Sequence, residues 1–154
     1  MTSMPQSPLQ TASTSTFESL ALLLPEPRPS AEQLAAPLAH GVRVAFAGPL
    51  VGALAVRVSD DVARALAANM LGVDAVRGAD AERVVRDALG EVANVICGNL
   101  LPELAGRVAV FQLGAPEPIA AAPAAGDVPP AAAVTLGIDA GRAEVALHVA
   151  PAAA

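Results

Sequence analysis

The segment from Ala81 to Leu101 constrains this chain more than any other: twenty-one residues keep a helical period without a break, and Pro102 follows. At about 100° per residue, Val85, Ala88, Leu89, Val92 and Ile96 gather on one side, which is the stripe a helix buries against a sheet or another helix. Asp87, Glu91, Asn94 and Gly98 fall within roughly 60° of one another on a different side. A helix of this length needs a partner surface, so the rest of the chain must supply one.

Flanking patterns supply it as strands. Val42, Val44 and Phe46 alternate with smaller or charged residues, Gly48-Pro49 offers turn chemistry, and Leu54, Val56 and Val58 alternate again, so a hairpin is expected. Ser59 reads as an N-cap for a helix over Asp60–Leu71, with Asp60 and Asp61 in its first turn and Gly72 closing it. Asp80 reads as the N-cap of the long helix. Beyond it, Arg107–Leu113 is expected as a strand, and Val134–Ile138 with Ala143–Val149 as a closing hairpin around Asp139-Ala140-Gly141.

The remaining segments read as weaker structure. Residues 1–15, rich in Ser, Thr, Pro and Gln, read as a disordered tail. Phe17, Leu20 and Leu24 have helical spacing until Pro25, Pro27 and Pro29 stop it, and Ala31–Ala39 is a weak helix or a loop. Residues 114–133, rich in Ala and Pro, read as a flexible loop inside a domain over 16–150, and 151–154 as a tail. About three helices and five strands joined by short turns give an α+β fold with a largely antiparallel sheet flanked by long helices.

Composition narrows the function. Of the 154 residues, 54% are apolar, but much of that share is alanine, enough for one modest core. No run approaches the roughly 18 apolar residues of a membrane span, and Met1–Thr16 lack the pattern of a signal peptide. A net charge of −6, no Lys, no Trp and no Tyr argue against nucleic-acid binding. The lone Cys97 fits a reducing compartment and, with only His40 and His148, leaves no metal-ligand cluster. No nucleotide-fold or serine-hydrolase motif is present. Cys97 reads as a small structural thiol, the histidines as structural or exposed, and Asn69 as a polar helix-end residue.

The polar line of the long helix is not what stability would choose. Asn inside a helix costs about 0.5 kcal/mol relative to Ala, and Gly90 and Gly98 each up to about 1 kcal/mol. Asp87 and Glu91 are like charges at i, i+4, a repulsion that Arg83 is placed to offset.

Asp87-Ala-Leu-Gly-Glu91-Val-Ala-Asn94-Val-Ile-Cys-Gly98-Asn99 resembles the [DS]xxxExxN…G signature of the CheC/CheX chemotaxis phosphatases. The strand Gly52–Val58 leading into a helix that finishes Met70-Leu71-Gly72 also resembles the CheX-like order, and the similarity spans roughly residues 40–149. Neither Glu18 nor Glu32 has an Asn three residues on, so the chain resembles the members with one motif. The resemblance implies a cytoplasmic phosphatase for the aspartyl phosphate of a CheY-like response regulator. Asn94 would orient water, Glu91 would dock on the regulator's lysine, and Asp87, Gly98 and Asn99 would contact the partner. It further implies Mg²⁺ supplied by the regulator, no cofactor held by this chain, and a homodimer. The alternative is a non-catalytic regulator-binding or flagellar-switch-like module of the same fold.

Overall fold

A computed structural model describes residues 7–150. Six strands form one sheet: β1 (Leu38–Ala47), β2 (Gly52–Ser59), β3 (Gln112–Leu113), β4 (Glu117–Pro118), β5 (Ala132–Ile138) and β6 (Gly141–Val149). The order is β3-β1-β2-β6-β5, β4 also pairs with β1, and every pairing is antiparallel. Four helices accompany it: α1 (Pro8–Ser19), α2 (Ala31–Ala35), α3 (Asp60–Leu71) and α4 (Ala81–Ala105). The expected α+β fold with an antiparallel sheet is what the chain adopts.

Alternation along each strand divides the sheet into two unlike faces. Register places Val42 beside Val56 and Val145, and Val44 beside Leu54 and Leu147. These side chains are buried, and α1, α3 and α4 cover them with Phe17, Val62, Leu66, Leu89, Val92 and Ile96. The opposite face carries Arg43, Ala55 and Ala146 in one row and Arg57 and Glu144 in another. α4 lies against β1 and between α1 and α3 in its contacts, so its apolar stripe is spent on the core and its polar line is left outside.

Several expectations need correction. Residues 8–15 are not a tail: they form most of α1, started by Ser7, whose hydroxyl accepts from Gln10 N at 3.1 Å, with Pro8 in the first turn. The buried side of α1 is Leu9, Ala12, Ser13, Thr16 and Phe17, a helical spacing disguised by two hydroxyl residues. Thr16 stays dry because its hydroxyl donates to Ala12 O at 2.8 Å. The helix ends at Ser19, short of Leu24, and Leu22 adopts φ 55°. Residues 1–6 and the expected tail at 151–154 lie outside the described residues.

Neither expected N-cap makes its side-chain bond. Ser59 instead donates to Asp61 Oδ1 at 2.6 Å and accepts from Arg142 N at 3.0 Å, joining α3 to β6. Asp80 makes no cap bond, and Arg83 approaches it at 3.8 Å rather than offsetting Asp87. α3 and Gly72, with φ 71°, match the reading. α4 continues one turn past Pro102, which has no N–H to donate to the carbonyl of Gly98.

The strand expected over Arg107–Leu113 shrinks to Gln112–Leu113, because β1 ends opposite them at Ala47. Residues 114–133 hold more structure than a loop reading allows. β4 lies within them, Arg57 Nε donates to Ala120 O at 3.0 Å, and Ala131 N donates to Leu147 O at 2.8 Å. The segment therefore crosses the sheet face that the helices leave uncovered.

Candidate functional site on the outer face of the long helix

The buried side of α4 fixes the direction of its other side. With Val85, Leu89, Val92 and Ile96 in the core, Asp87 and Glu91 are exposed one turn apart, and Asn94 is half-buried one turn further on. Arg86, Asp87, Gly90, Glu91 and Asn94 line a shallow hollow of about 400 Å³, completed by Pro116 and Pro118 from the edge of the sheet. The two side chains expected to act together, Glu91 and Asn94, therefore meet in one depression on the outside of the molecule.

The Asn94 amide is unusual within it. Its Oδ1 is buried and has no hydrogen-bond partner among the described residues. Leaving such an acceptor unsatisfied costs about 1–3 kcal/mol, on top of the weak helix propensity of Asn. Asp87, Glu91 and Arg86 form no ion pair among the described residues, so the hollow keeps two acidic groups and one basic group free of internal partners.

Gly90 has a structural reason to lack a side chain. A Cβ there would lie 2.9 Å from Cβ of Pro116 and 3.1 Å from its Cγ, so glycine allows the edge segment to approach the helix. Gly98 is different: it is exposed, and a Cβ would meet nothing within 4 Å. Asn99 is exposed, and its Nδ2 donates to Thr16 Oγ1 of α1 at 3.4 Å, away from the hollow. Of the five positions singled out from sequence, Asp87, Glu91 and Asn94 share the hollow, whereas Gly98 and Asn99 lie outside its lining.

Sequence reasoning missed Arg86, Pro116 and Pro118. Arg86 is adjacent to Asp87 and was detectable on the same helical wheel. The prolines come from a segment more than twenty residues further along, in a biased stretch where no local period signals a contact.

Other titratable groups stand apart. Cys97 is buried beside the core stripe, and desolvation pushes its thiol up to about 12 from the usual 9.0, which keeps it protonated. His40 Nε2 lies 2.9 Å from Asp60 Oδ1, and Arg64 Nε lies 2.9 Å from Asp60 Oδ2. The hydrogen bond from His40 and then that from Arg64 hold the Asp60 carboxyl below its usual range. Asn69 donates to Ala21 O at 2.8 Å, tying α3 to the turn after α1. Among the described residues no group of three His, Cys, Asp or Glu side chains is arranged to hold a metal ion, and no helix is long and apolar enough to cross a membrane.

Solved structures similar to this chain include chemotaxis proteins. The CheX protein of Borrelia burgdorferi, solved as a CheX–CheY–BeF₃–Mg²⁺ complex, matches with a TM-score of 0.63 at 19% identity, over 92% of this chain and 95% of that one. CheX of Desulfovibrio desulfuricans matches with a TM-score of 0.67 at 24% identity, over 93% and 97%. FliY of Thermotoga maritima is more distant, with a TM-score of 0.52 at 14% identity over 89% and 82%. These likenesses establish the fold; no protein with a curated description matches the sequence. Residues 40–135, which run from β1 through the whole of α4 into β5, match the model of the family described as chemotaxis phosphatase CheX, and the chain belongs to that family.

Proposed function

We propose that this protein hydrolyses the aspartyl phosphate of a CheY-like response regulator, with Asn94 and Glu91 as the working pair. The observation that carries the reading is their placement one turn apart in an outward hollow, on a helix whose opposite side is anchored in the core. The family's description as a phosphatase supports the reaction class, and the Borrelia CheX complex with CheY supports the kind of partner.

The chemistry suits so small a site. Water attacks phosphorus, the bond from phosphorus to the aspartyl oxygen breaks, the carboxylate is restored, and inorganic phosphate leaves with the proton balance taken up by solvent. Such transfer requires alignment and charge stabilisation more than covalent help. The regulator brings the acyl phosphate and holds the Mg²⁺. Asn94 accepts from the attacking water or donates to a phosphate oxygen, and being neutral it adds no repulsion. Glu91, projecting beside it, forms a charge-assisted bond with the regulator's lysine and sets the register of docking. Asp87 widens the acidic face, and the exposed Gly98 leaves the docking surface open further along α4. A hundredfold acceleration needs only about 2.7 kcal/mol, within reach of one aligned amide.

In the free protein the Asn94 carbonyl oxygen is covered. A regulator-binding module without catalysis would leave it so, whereas the phosphatase exposes one end of the amide to its partner. The two readings separate in a single assay. A regulator phosphorylated with acetyl phosphate loses its label faster when the chain is added if the chain is a phosphatase; binding with an unchanged lifetime selects the module. In this reading the protein works in the cytoplasm as a homodimer, and the exposed Val108 and Val110 beside the edge strand β3 support a second copy there. Light scattering at micromolar concentration tests the dimer.

A further inference from the structure

The hollow is closed on one side by a segment to which the reaction above gives no role. Residues 112–119 run antiparallel to β1 and are pinned on both sides of Pro116. Ahead of it, Gly114 N donates to Ala45 O at 2.8 Å; after it, Glu117 and Pro118 pair with Arg43 and Val42, and Ile119 N donates to Gly41 O at 3.1 Å. Between these anchors Pro116 rests on Gly90, at a distance that leaves no room for even a methyl group. A proline ring has no rotamer through which to retreat, and its backbone cannot move back without breaking ladder bonds.

Gly90 precedes Glu91 directly and lies one helical turn before Asn94, so the contact sits at the centre of the polar line. The other observation is the orphaned Oδ1 of Asn94. A half-turn about the terminal torsion of Asn exchanges its oxygen and its NH₂ group. Since no hydrogen bond among the described residues anchors the oxygen, packing alone holds the side chain, and the walls of the hollow set the space the amide can occupy.

We propose that Pro116, seated on Gly90, is the positioning residue for Asn94: it fixes the wall of the hollow and thereby the place of the amide that meets the regulator's phosphate. The inference rests on the phosphatase reading for its consequence in rate. Its structural half stands on the free protein alone.

The test uses the full chain and a regulator phosphorylated with acetyl phosphate. Gly90→Ala drives a methyl into Pro116, and Pro116→Gly removes the wall. Each is expected to lower kcat about tenfold with KM within about twofold of the parent, since alignment and not docking is lost. The double variant is expected to lose no more than Pro116→Gly alone, because the clash has gone. Gly72→Ala, remote from the hollow, controls for stability and is expected to keep kcat. A second readout needs no regulator: the side-chain amide resonances of Asn94 in a ¹H–¹⁵N spectrum shift in both single variants. Unmoved resonances in Gly90→Ala and Pro116→Gly overturn the inference, whatever the activity. So does a change confined to KM, which would make Pro116 a docking residue. A parent chain that leaves the regulator's lifetime unchanged, with the resonances still moving, defeats the phosphatase reading and not the positioning role.

Discussion

At the scale of single residues, the most informative groups are those whose environment contradicts their chemistry. Asn94 is the clearest: a poor helix former whose carbonyl oxygen is buried without a donor among the described residues, beside an exposed carboxylate. For Glu91→Ala we expect a weaker complex with the phosphorylated regulator, by about tenfold, measured by titration calorimetry, because a charge-assisted contact is removed from a docking surface. Equal affinity would remove its assigned role. Cys97 shows the reverse, a reactive type made inert by burial. A thiol whose folded pKa of about 12 exceeds the usual 9.0 favours the folded state while it is protonated. That advantage is full below about pH 9 and fades as pH rises from there through 12. Urea midpoints should therefore fall between pH 9 and pH 11 in the parent and fall less in Cys97→Ala. Native Cys97 should also resist a thiol reagent at neutral pH until the protein unfolds. The residues that were legible in sequence were those with local signatures: Asp87, Glu91 and Asn94 follow from one helical wheel. Pro116 was not, because nothing in residues 114–133 announces which helix the strand edge will touch.

At the scale of elements, the long-period helix, α3 with its closing glycine, and both hairpins follow directly from local pattern. Gly72 takes φ 71° with open space around it, so Gly72→Ala introduces strain and no clash. We expect a loss of about 1 kcal/mol in chemical denaturation, and no loss would show that the turn relaxes. α1 escaped notice for a physical reason. Its core side includes Ser13 and Thr16, and polar residues on a buried stripe hide the period that marks a helix. Phe17 is fully buried in the common core, so Phe17→Ala is expected to cost about 3–5 kcal/mol. A cost near zero would mean that α1 does not pack into the core. The expected strand over Arg107–Leu113 failed for the complementary reason. Alternation is present, yet β1 is too short to pair with its first residues, and Val108 is left 96% exposed.

Across the whole molecule, the fold divides labour between two sides of one helix. The sheet and the other helices hold the inner side of α4 rigid, which converts the flexible task of aiming an amide into a property of the fold. The outer side is left free for a second protein. Net charge and composition argued against nucleic acid, but they said nothing of which surface would meet a partner; that required the sheet order, which brings β4 and its neighbouring prolines to the flank of α4. In the proposed function, Asn94 accelerates loss of phosphate from a regulator. The most direct measurement is the half-life of a phosphorylated CheY-like regulator with the parent chain and with Asn94→Ala, both verified as folded by thermal melting. We predict a half-life shortened by the parent and restored to within about twofold of the regulator alone by the variant, a loss of at least about tenfold in catalysed rate. An Asn94→Ala protein that shortens the half-life as much as the parent would contradict it.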